Sequence, residues 1–434
     1  MTAQLLNVTL ALIAIFVSGG YWLRQRNRGK RASKTLQKAA ATGLLEPVSL
    51  HPQLVPNRCI GIGACAEACP EGDIIGVVNG RAELIKPTRC IGHGACAAAC
   101  PVDALVLVFG TARRGVELPE VKETFETDVA GIYIAGELGG MGLIRNAVTQ
   151  GRQAIEQLAG SLTDRDPSVY DVAIVGAGPA GLSATLQAKK LGLRSITLDQ
   201  NDIGGTVLTY PRQKVVMTQP MELPLYGKCN FREIKKEELL DLWHEVITKT
   251  GIHINTHEQV ASVERENGYH KVVSAKGEYL ARKVLLSNGR RGTPRKLGVP
   301  GEDSSKVTYS LIEQEQYRDK KVLVVGGGDS AVEAALTLAE EKGTDVTLSY
   351  RKGVFARIKE KNEELIKRAM ESDKLKVLLS SVVKNIAPDV VALSHDGNEL
   401  EIPNEYVLVF IGGELPSKFL KSMGISIRMK FGER

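Results

Sequence analysis

The cysteines constrain this chain most. Cys59, Cys65 and Cys69, with Pro70 directly after, recur with similar intervening residues as Cys90, Cys96 and Cys100 before Pro101. Six of the seven cysteines lie in these two runs, so one small unit has been duplicated. Thiolates are the soft donors that hold iron–sulfur clusters, and in two-cluster arrangements the cysteine before proline ligates the cluster of the other run. The crossed sets are then Cys59, Cys65 and Cys100 for one cluster, and Cys90, Cys96 and Cys69 for the other. Zinc and a disulfide framework are the rivals. Zinc sites use close cysteine pairs, and neither the Cys-Pro endings nor the duplication follows from that need.

The position where a further thiolate would complete each set holds Ile62 in the first run and His93 in the second. A hydrocarbon cannot donate to iron, whereas an imidazole can. The Ile62 side therefore points to a 3Fe-4S cluster. On the other side, two options stay open: His93 as fourth ligand of a 4Fe-4S cluster, or His93 beside a second 3Fe-4S cluster. The duplicated segment, about residues 55–108, resembles bacterial-type ferredoxin with a missing ligand, as in its three-iron relatives.

The first 23 residues carry no charged side chain, and as a helix Leu5 to Leu23 would reach roughly 28 Å, near the ~30 Å of a bilayer core. Arg24, Arg26, Arg28, Lys30, Arg31, Lys34 and Lys38 follow, with no acid before Glu46. This order predicts an uncleaved single-pass anchor in the cell inner membrane with the catalytic domains cytoplasmic; in a signal peptide the charges would come first. The same seven charges exceed the net charge of +6, so no basic patch remains to argue for nucleic acid. Cysteine grouped for metal fits a reducing compartment.

Two glycine turns follow. Val172–Val175 reads as a buried strand, then Gly176, Gly178, Pro179, Ala180 and Gly181 form a turn that leads into a helix over Leu182–Leu191. Such glycines let backbone amides approach a pyrophosphate, and Asp199, at the end of the next strand, is placed to bind ribose hydroxyls. The second turn, Gly326, Gly328, Asp329 and Ser330, follows Val322–Val325 and precedes a helix over Val332–Glu341. Its next strand ends in Tyr350, Arg351 and Lys352 rather than an acid. Arginine accommodates a 2′-phosphate, so Arg351, with Arg357 nearby, favours NADPH over NADH.

The second motif, with Tyr-Arg-Lys-Gly-Val-Phe-Ala-Arg from Tyr350, resembles the NADPH domain of low-molecular-weight thioredoxin reductases. That resemblance implies a two-domain flavoprotein with FAD at the first turn and Gly205-Thr206 beside the isoalloxazine. Leu285–Gly301 looks like the crossover between domains, and Val407–Pro416 like the return. The family ends in a strand, a Gly-Asp that holds the flavin ribityl chain, and a covering helix. Here that piece precedes the first turn, as Phe125 to Glu137 and Asn146 to Ala154, with Gly136-Glu137 replacing Gly-Asp. The order implies a circular permutation, which is physically easy where termini lie close together.

Thioredoxin reductases carry a Cys-x-x-Cys dithiol in the NADPH domain, and Val307–Lys321 contains no cysteine. Bacillithiol-disulfide reductases resemble the chain more closely but place a cysteine in the first turn, where Ala180 stands here. The clusters become the natural second redox partner, because flavin takes a hydride and releases electrons singly. No acid–base catalyst is required. The expected function is a membrane-anchored NAD(P)H oxidoreductase passing electrons between FAD and two clusters, with an electron carrier protein or a membrane acceptor as partner. A redox-sensing or scaffold subunit, and a single-cysteine disulfide reductase using Cys229, are the alternatives. The small subunit of glutamate synthase shares the module order but not the cysteine spacing. The oligomer stays open, with a homodimer among the options.

The expected fold class is α/β, with an N-terminal transmembrane helix, a small α+β ferredoxin-like domain and two Rossmann-like domains. The boundaries run as anchor 1–24, basic linker 25–50, iron–sulfur domain 51–111, permuted flavin segment 112–165, FAD domain 166–292, NAD(P)H domain 293–398 and a return to the FAD domain over 399–434. Arg212–Lys249 reads as polar and helical, with a stripe through Trp243 that suits core packing.

Overall fold

The computed structural model describes residues 2–41, 45–47, 50–162, 166–210, 212–290, 293–355, 358–372 and 374–433. The chain forms two compact units, one of Met1–Val116 with Lys430–Arg434 and one of Glu117–Met429.

The first unit opens on a single helix, Thr2–Ala41. Among the described residues no helix is long and apolar enough to cross a membrane. This corrects the expected anchor over 1–24, the inner-membrane placement and the membrane as a partner. Ser18, Gly19 and Gly20 interrupt the apolar side chains, and the helix runs unbroken through Arg24, Arg26, Arg28, Lys30 and Arg31. Nor are residues 25–41 a linker. Ala32 is buried where a Cβ at Gly76 would lie 2.6 Å from its own Cβ, so the helix rests directly on the strand Ile75–Val78. Arg28 also donates to Glu67 at 2.9 Å.

Ile75–Val78 pairs antiparallel with Arg81–Leu84. The two turn residues, Asn79 at φ 50° and Gly80 at φ 77°, are both left-handed, as a two-residue hairpin of this twist requires. A second antiparallel pair, His51–Leu54 with Leu105–Val108, closes the small core of Cys65, Ile74, Ile75, Ala82, Cys96 and Leu105. The chain end returns here: Phe109 N–H donates to Glu433 O at 2.7 Å and Gly432 N–H to Phe109 O at 2.8 Å. The last residues therefore do not join the return over 399–434 expected from sequence.

In the second unit, one sheet takes the order Val260–Glu266, Tyr269–Ser274, Glu278–Leu286, Tyr170–Val175, Ser195–Leu198. Ile132–Ile134 pairs parallel with Val284–Leu286 of the long strand Glu278–Leu286, although it precedes every other strand of the sheet in the chain. Its burial is complete, which explains the uninterrupted apolar run. The helix Ile144–Gly160 packs on Pro179–Lys190, while Leu420, Met423 and Ile425, from the far end of the chain, join a separate core with Ile132, Ile134 and Leu286.

A second, all-parallel sheet runs Val307–Thr308, Tyr406–Val409, Lys321–Val325, Asp345–Ser349, Lys376–Leu378. A three-stranded antiparallel sheet over Ser381–Pro403 shares a core with it through Val383, Val391, Leu393, Leu323 and Val407. Residues 399–409 thus belong to this half and not to the return. Crossover and return are bonded to each other, Thr293 opposite Glu414 and Pro294 opposite Gly413. The region expected to be helical over Arg212–Lys249 is helical only at Lys236–Thr250, where Leu239, Trp243 and Val246 are buried. The preceding segment holds short strand pairs, its β-branched Val215 and Val216 pairing with Lys235 and Ile234.

Candidate functional site: two thiol cavities and two glycine turns

The two cysteine runs repeat one backbone device. Gly61, Gly63, Gly92 and Gly94 all take left-handed φ, each pair leading into a one-turn helix, Ala64–Glu67 or Ala95–Ala98. A Cβ at Gly61 would lie 2.3 Å from Gly80 O, and one at Gly92 2.4 Å from Leu50 O, so both runs are pressed against neighbouring backbone.

Cys59, Cys65 and Cys100 line one cavity, with Leu54, Ile62 and Val77. Cys69, Cys90 and Cys96 line a second, with His93 and Glu71. The structure thus brings together the two crossed sets read from the sequence. All six thiols are free, and Ala82 N–H donates to Cys59 Sγ at 3.4 Å and Ala104 N–H to Cys100 Sγ at 3.2 Å. Among the described residues no three His, Cys, Asp or Glu side chains close on a single ion. Thiols spread round a cavity suit a cluster with its own width. Burial pushes the Cys90 and Cys96 thiols up to about 11.

At the first glycine turn, a Cβ at Gly176 (φ 104°) would fall 2.6 Å from Asn288 backbone, and one at Gly181 1.8 Å from Gly176 O. Strand and helix are therefore in contact across these two glycines. Gly178 differs: the nearest atom its Cβ would meet is Gly205 Cα at 3.8 Å, which leaves an open cradle at the helix start. Gly205 and Thr206 begin the 3₁₀ turn over Gly205–Thr209, and Gly204 N–H donates to Ala177 O at 3.2 Å, folding that turn over the cradle. Asp199 is buried beneath it and accepts from Ala177 N–H at 2.5 Å and Asn201 N–H at 2.8 Å. Burial raises its carboxyl, and these two donors pull the other way. Asn288 Oδ1 is buried beside the turn without a hydrogen-bond partner.

The upstream segment arrives at the same place. A Cβ at Gly136 would lie 2.9 Å from Ala180 Cβ, and one at Gly151 2.0 Å from Ala180 O. Glu137 follows Gly136 in a 3₁₀ turn, half-buried. Gln150 accepts from Gly136 N–H at 2.8 Å and donates to Met141 Sδ at 3.2 Å, tying helix to turn. The sequence reading included the runs that hold Gln150, Gly151 and Asn288 but gave none of the three a role of its own. A glycine inside a helix, unfavourable on propensity alone, was the signal available for Gly151.

At the second turn Gly326 is pressed against Phe410 O, while around Gly328 nothing lies within 4 Å of a Cβ position. Asp329 is the first residue of Asp329–Ala339 and accepts from Lys359 N–H at 2.8 Å and Asn362 Nδ2 at 2.7 Å. Ser330, Arg351 and Lys352 are exposed, the latter two just beyond the strand Asp345–Ser349. Arg357 lies outside the described residues. Tyr350, also unforeseen in this role, stacks on Phe355 with centroids 5.5 Å apart and covers Gly327.

Cys229 sits in the core with Leu239 and Trp243, and burial raises its thiol. Both features oppose a reactive thiolate, which needs exposure and a lowered pKa.

Two successive strand–glycine turn–helix folds with cradles open for phosphates define a reductase of the two-nucleotide class, here joined to a cluster-binding unit. Residues 173–431 match the family described as Pyridine nucleotide-disulphide oxidoreductase, and the chain belongs to it. Residues 51–101 match the 4Fe-4S dicluster domain. A Ferredoxin–NADP reductase of Ignicoccus hospitalis is 29% identical over 268 residues, spanning 60% of this chain and 83% of that one. Bacilliredoxin reductase Bdr of Bacillus subtilis is 26% identical over 268 residues, 60% of this chain and 82% of its own. Among solved structures, Bacillithiol Disulfide Reductase Bdr from Staphylococcus aureus aligns at a TM-score of 0.55 and 26% identity, over 60% of this chain and 82% of that one. The protein is an FAD-dependent NAD(P)H oxidoreductase with an iron–sulfur domain.

Proposed function

We propose that this enzyme exchanges electrons between NADPH and a one-electron carrier protein through FAD and two iron–sulfur clusters. One observation carries the reading: the thiols suited to redox work are grouped in two three-cysteine cavities, while Cys229 is buried in a hydrophobic core. A disulfide substrate would have no thiolate to meet.

The residues fit the implied groups. The open cradle at Gly178 and the orphaned Asn288 Oδ1 suit FAD, with Gly176, Pro179, Ala180 and Gly181 shaping the phosphate contact and Asp199 facing the ribose. Gly136 and Glu137, with Gly205 and Thr206, would border the ribityl chain and ring. The permuted arrangement is supported by the pairing of Ile132–Ile134 with Val284–Leu286 and the contact of Gly151 with Ala180. Gly326, Gly328, Asp329 and Ser330 would receive the pyrophosphate of NADPH, and Arg351 with Lys352 its 2′-phosphate. FAD supplies conversion between hydride and single-electron transfer. The protein's own part is to hold the two nucleotides, keep Asp199 oriented and leave no competing thiol nearby.

Cys59, Cys65 and Cys100, with Ile62 as a fourth wall that cannot ligate, would hold a 3Fe-4S cluster. Cys69, Cys90 and Cys96 would hold the other cluster, beside His93. An anaerobic NADPH titration followed by flavin absorbance and EPR tests the scheme. Flavin bleaching followed by cluster reduction is expected; clusters that stay oxidised under full flavin reduction would overturn it.

A further inference from the structure

The two cavities share their cysteines and glycine turns but differ at two matched positions, Ile62 against His93 and Val102 against Glu71. The Ile62 side chain is 53% exposed and contributes no polar atom to its cavity. His93, by contrast, has a buried Nε2 with no hydrogen-bond partner, beside Cys69, Cys90 and Cys96. A buried polar nitrogen left unpaired is costly and is kept where something absent completes it.

The other ring nitrogen decides what that something is. Ala95 N–H donates to His93 Nδ1 at 3.5 Å, two residues along the same left-handed glycine turn. A nitrogen that accepts a hydrogen bond carries no proton, so in the neutral ring the proton sits on Nε2. A protonated Nε2 has no lone pair to offer iron. It can only donate. For Nε2 to ligate iron, Nδ1 would carry the proton and would face the Ala95 N–H, donor against donor. Among the side chains lining the cavity, the acceptors available to Nε2–H are the cysteine sulfurs and the Glu71 carboxylate, and Nε2 bonds to none of them.

We propose that His93 is a hydrogen-bond donor to the sulfur of its cluster and not an iron ligand, so that both clusters rest on three cysteines and differ in potential. The proposal rests on the three-iron reading of the Ile62 cavity. A donor to sulfur offsets negative charge that grows on reduction, so it raises the potential of the cluster it touches. His93 thus makes its cluster easier to reduce than the same cluster would be without the donor. It is a positioning residue for charge. It touches no substrate.

The test uses the full-length protein, reconstituted with iron and sulfide, read by EPR and by redox titration. The wild type is expected to show two three-iron signals, one of them shifting to lower potential in H93I and the other unmoved. H93N keeps an N–H donor and is expected to restore most of the shift. With ¹⁵N-labelled histidine, pulsed EPR should show the weak coupling of a hydrogen-bonded nitrogen. A wild type with a single three-iron signal and a four-iron cluster that converts to three-iron in H93I would make His93 a ligand and overturn the proposal. A four-iron cluster in the Ile62 cavity, detected as no change in cluster type on I62C, would instead overturn the reading beneath it. Unchanged potentials in H93I with both three-iron signals present would also refute the proposal while leaving that reading standing.

Discussion

Replacing Gly151 by alanine should unseat the flavin half of the molecule. Gly151 lies in the helix Ile144–Gly160, and the Cβ it lacks would fall 2.0 Å from Ala180 O, 2.9 Å from its carbonyl carbon and 3.1 Å from its Cα. Ordinary heavy-atom contact begins at about 3.5 Å, so the two helices would have to part by more than about 1 Å. The obstacle is backbone in the first turn of Pro179–Lys190 and cannot swing aside as a flexible side chain would. Overpacking of this kind costs typically 1–3 kcal/mol, and rigid backbone puts this case at the upper end. At about 2–4 °C per kcal/mol, the melting temperature should fall by about 6–12 °C. Because Ala180 belongs to the glycine turn, flavin content should fall as well. The same helix supplies its control. Gly160 has nothing within 4 Å of a Cβ position, so G160A should keep full flavin and gain up to ~1 kcal/mol from helix propensity. The assay is thermal unfolding together with the flavin-to-protein ratio for both variants. If G151A keeps the melting temperature and flavin of the wild type, the upstream helix does not pack on the dinucleotide turn and the permuted arrangement is wrong.

His270 should make stability depend on acid. Burial, with Arg265 and Lys283 nearby, lowers its pKa to about 4 from 6.5. The native ring stays neutral while the unfolded chain takes up a proton below about pH 6.5, so stability is complete above that pH and falls towards pH 4, by on the order of 3 kcal/mol. Comparing denaturant midpoints of wild type and H270Q between pH 7 and 4.5 checks this; parallel curves would refute it. Replacing Arg351 and Lys352 together with glutamine should raise the KM for NADPH about 10–100-fold and leave that for NADH nearly unchanged, since only the 2′-phosphate loses partners. Equal losses for both nucleotides would count against that assignment. C229S should keep NADPH-dependent reduction of an artificial acceptor within about twofold, and an activity loss without a fall in melting temperature would reopen a thiol mechanism.

Local chemistry was legible where one residue type at one spacing does one thing. The duplicated thiols and the glycines after each strand carried the two cavities and the two strand–turn–helix units, because ligand softness and backbone freedom are written residue by residue. Ile132-Tyr133-Ile134 could be recognised as a buried strand for the same reason. The apolar N-terminus misled: hydropathy and the order of charges do not register that Ala32 rests on Gly76 and that the helix continues to Ala41. The stretch before Lys236 misled in a related way, since its polar residues hid short strands held by pairing with distant neighbours.

By itself the amino-acid order determined which atoms are available for chemistry: six thiols in two copies, one imidazole against one hydrocarbon, two open glycine turns. The crossing of Cys100 and Cys69 was legible as well, from the Cys-Pro endings. Only the tertiary structure decided the close contacts: it brought Gly151 against Ala180 and left His93 Nε2 buried without a partner while Nδ1 accepts from Ala95. The physical reason is range. Ligand identity and backbone freedom are properties of a residue and its immediate neighbours, whereas close approach and an unsatisfied buried atom exist only once distant segments have been packed together.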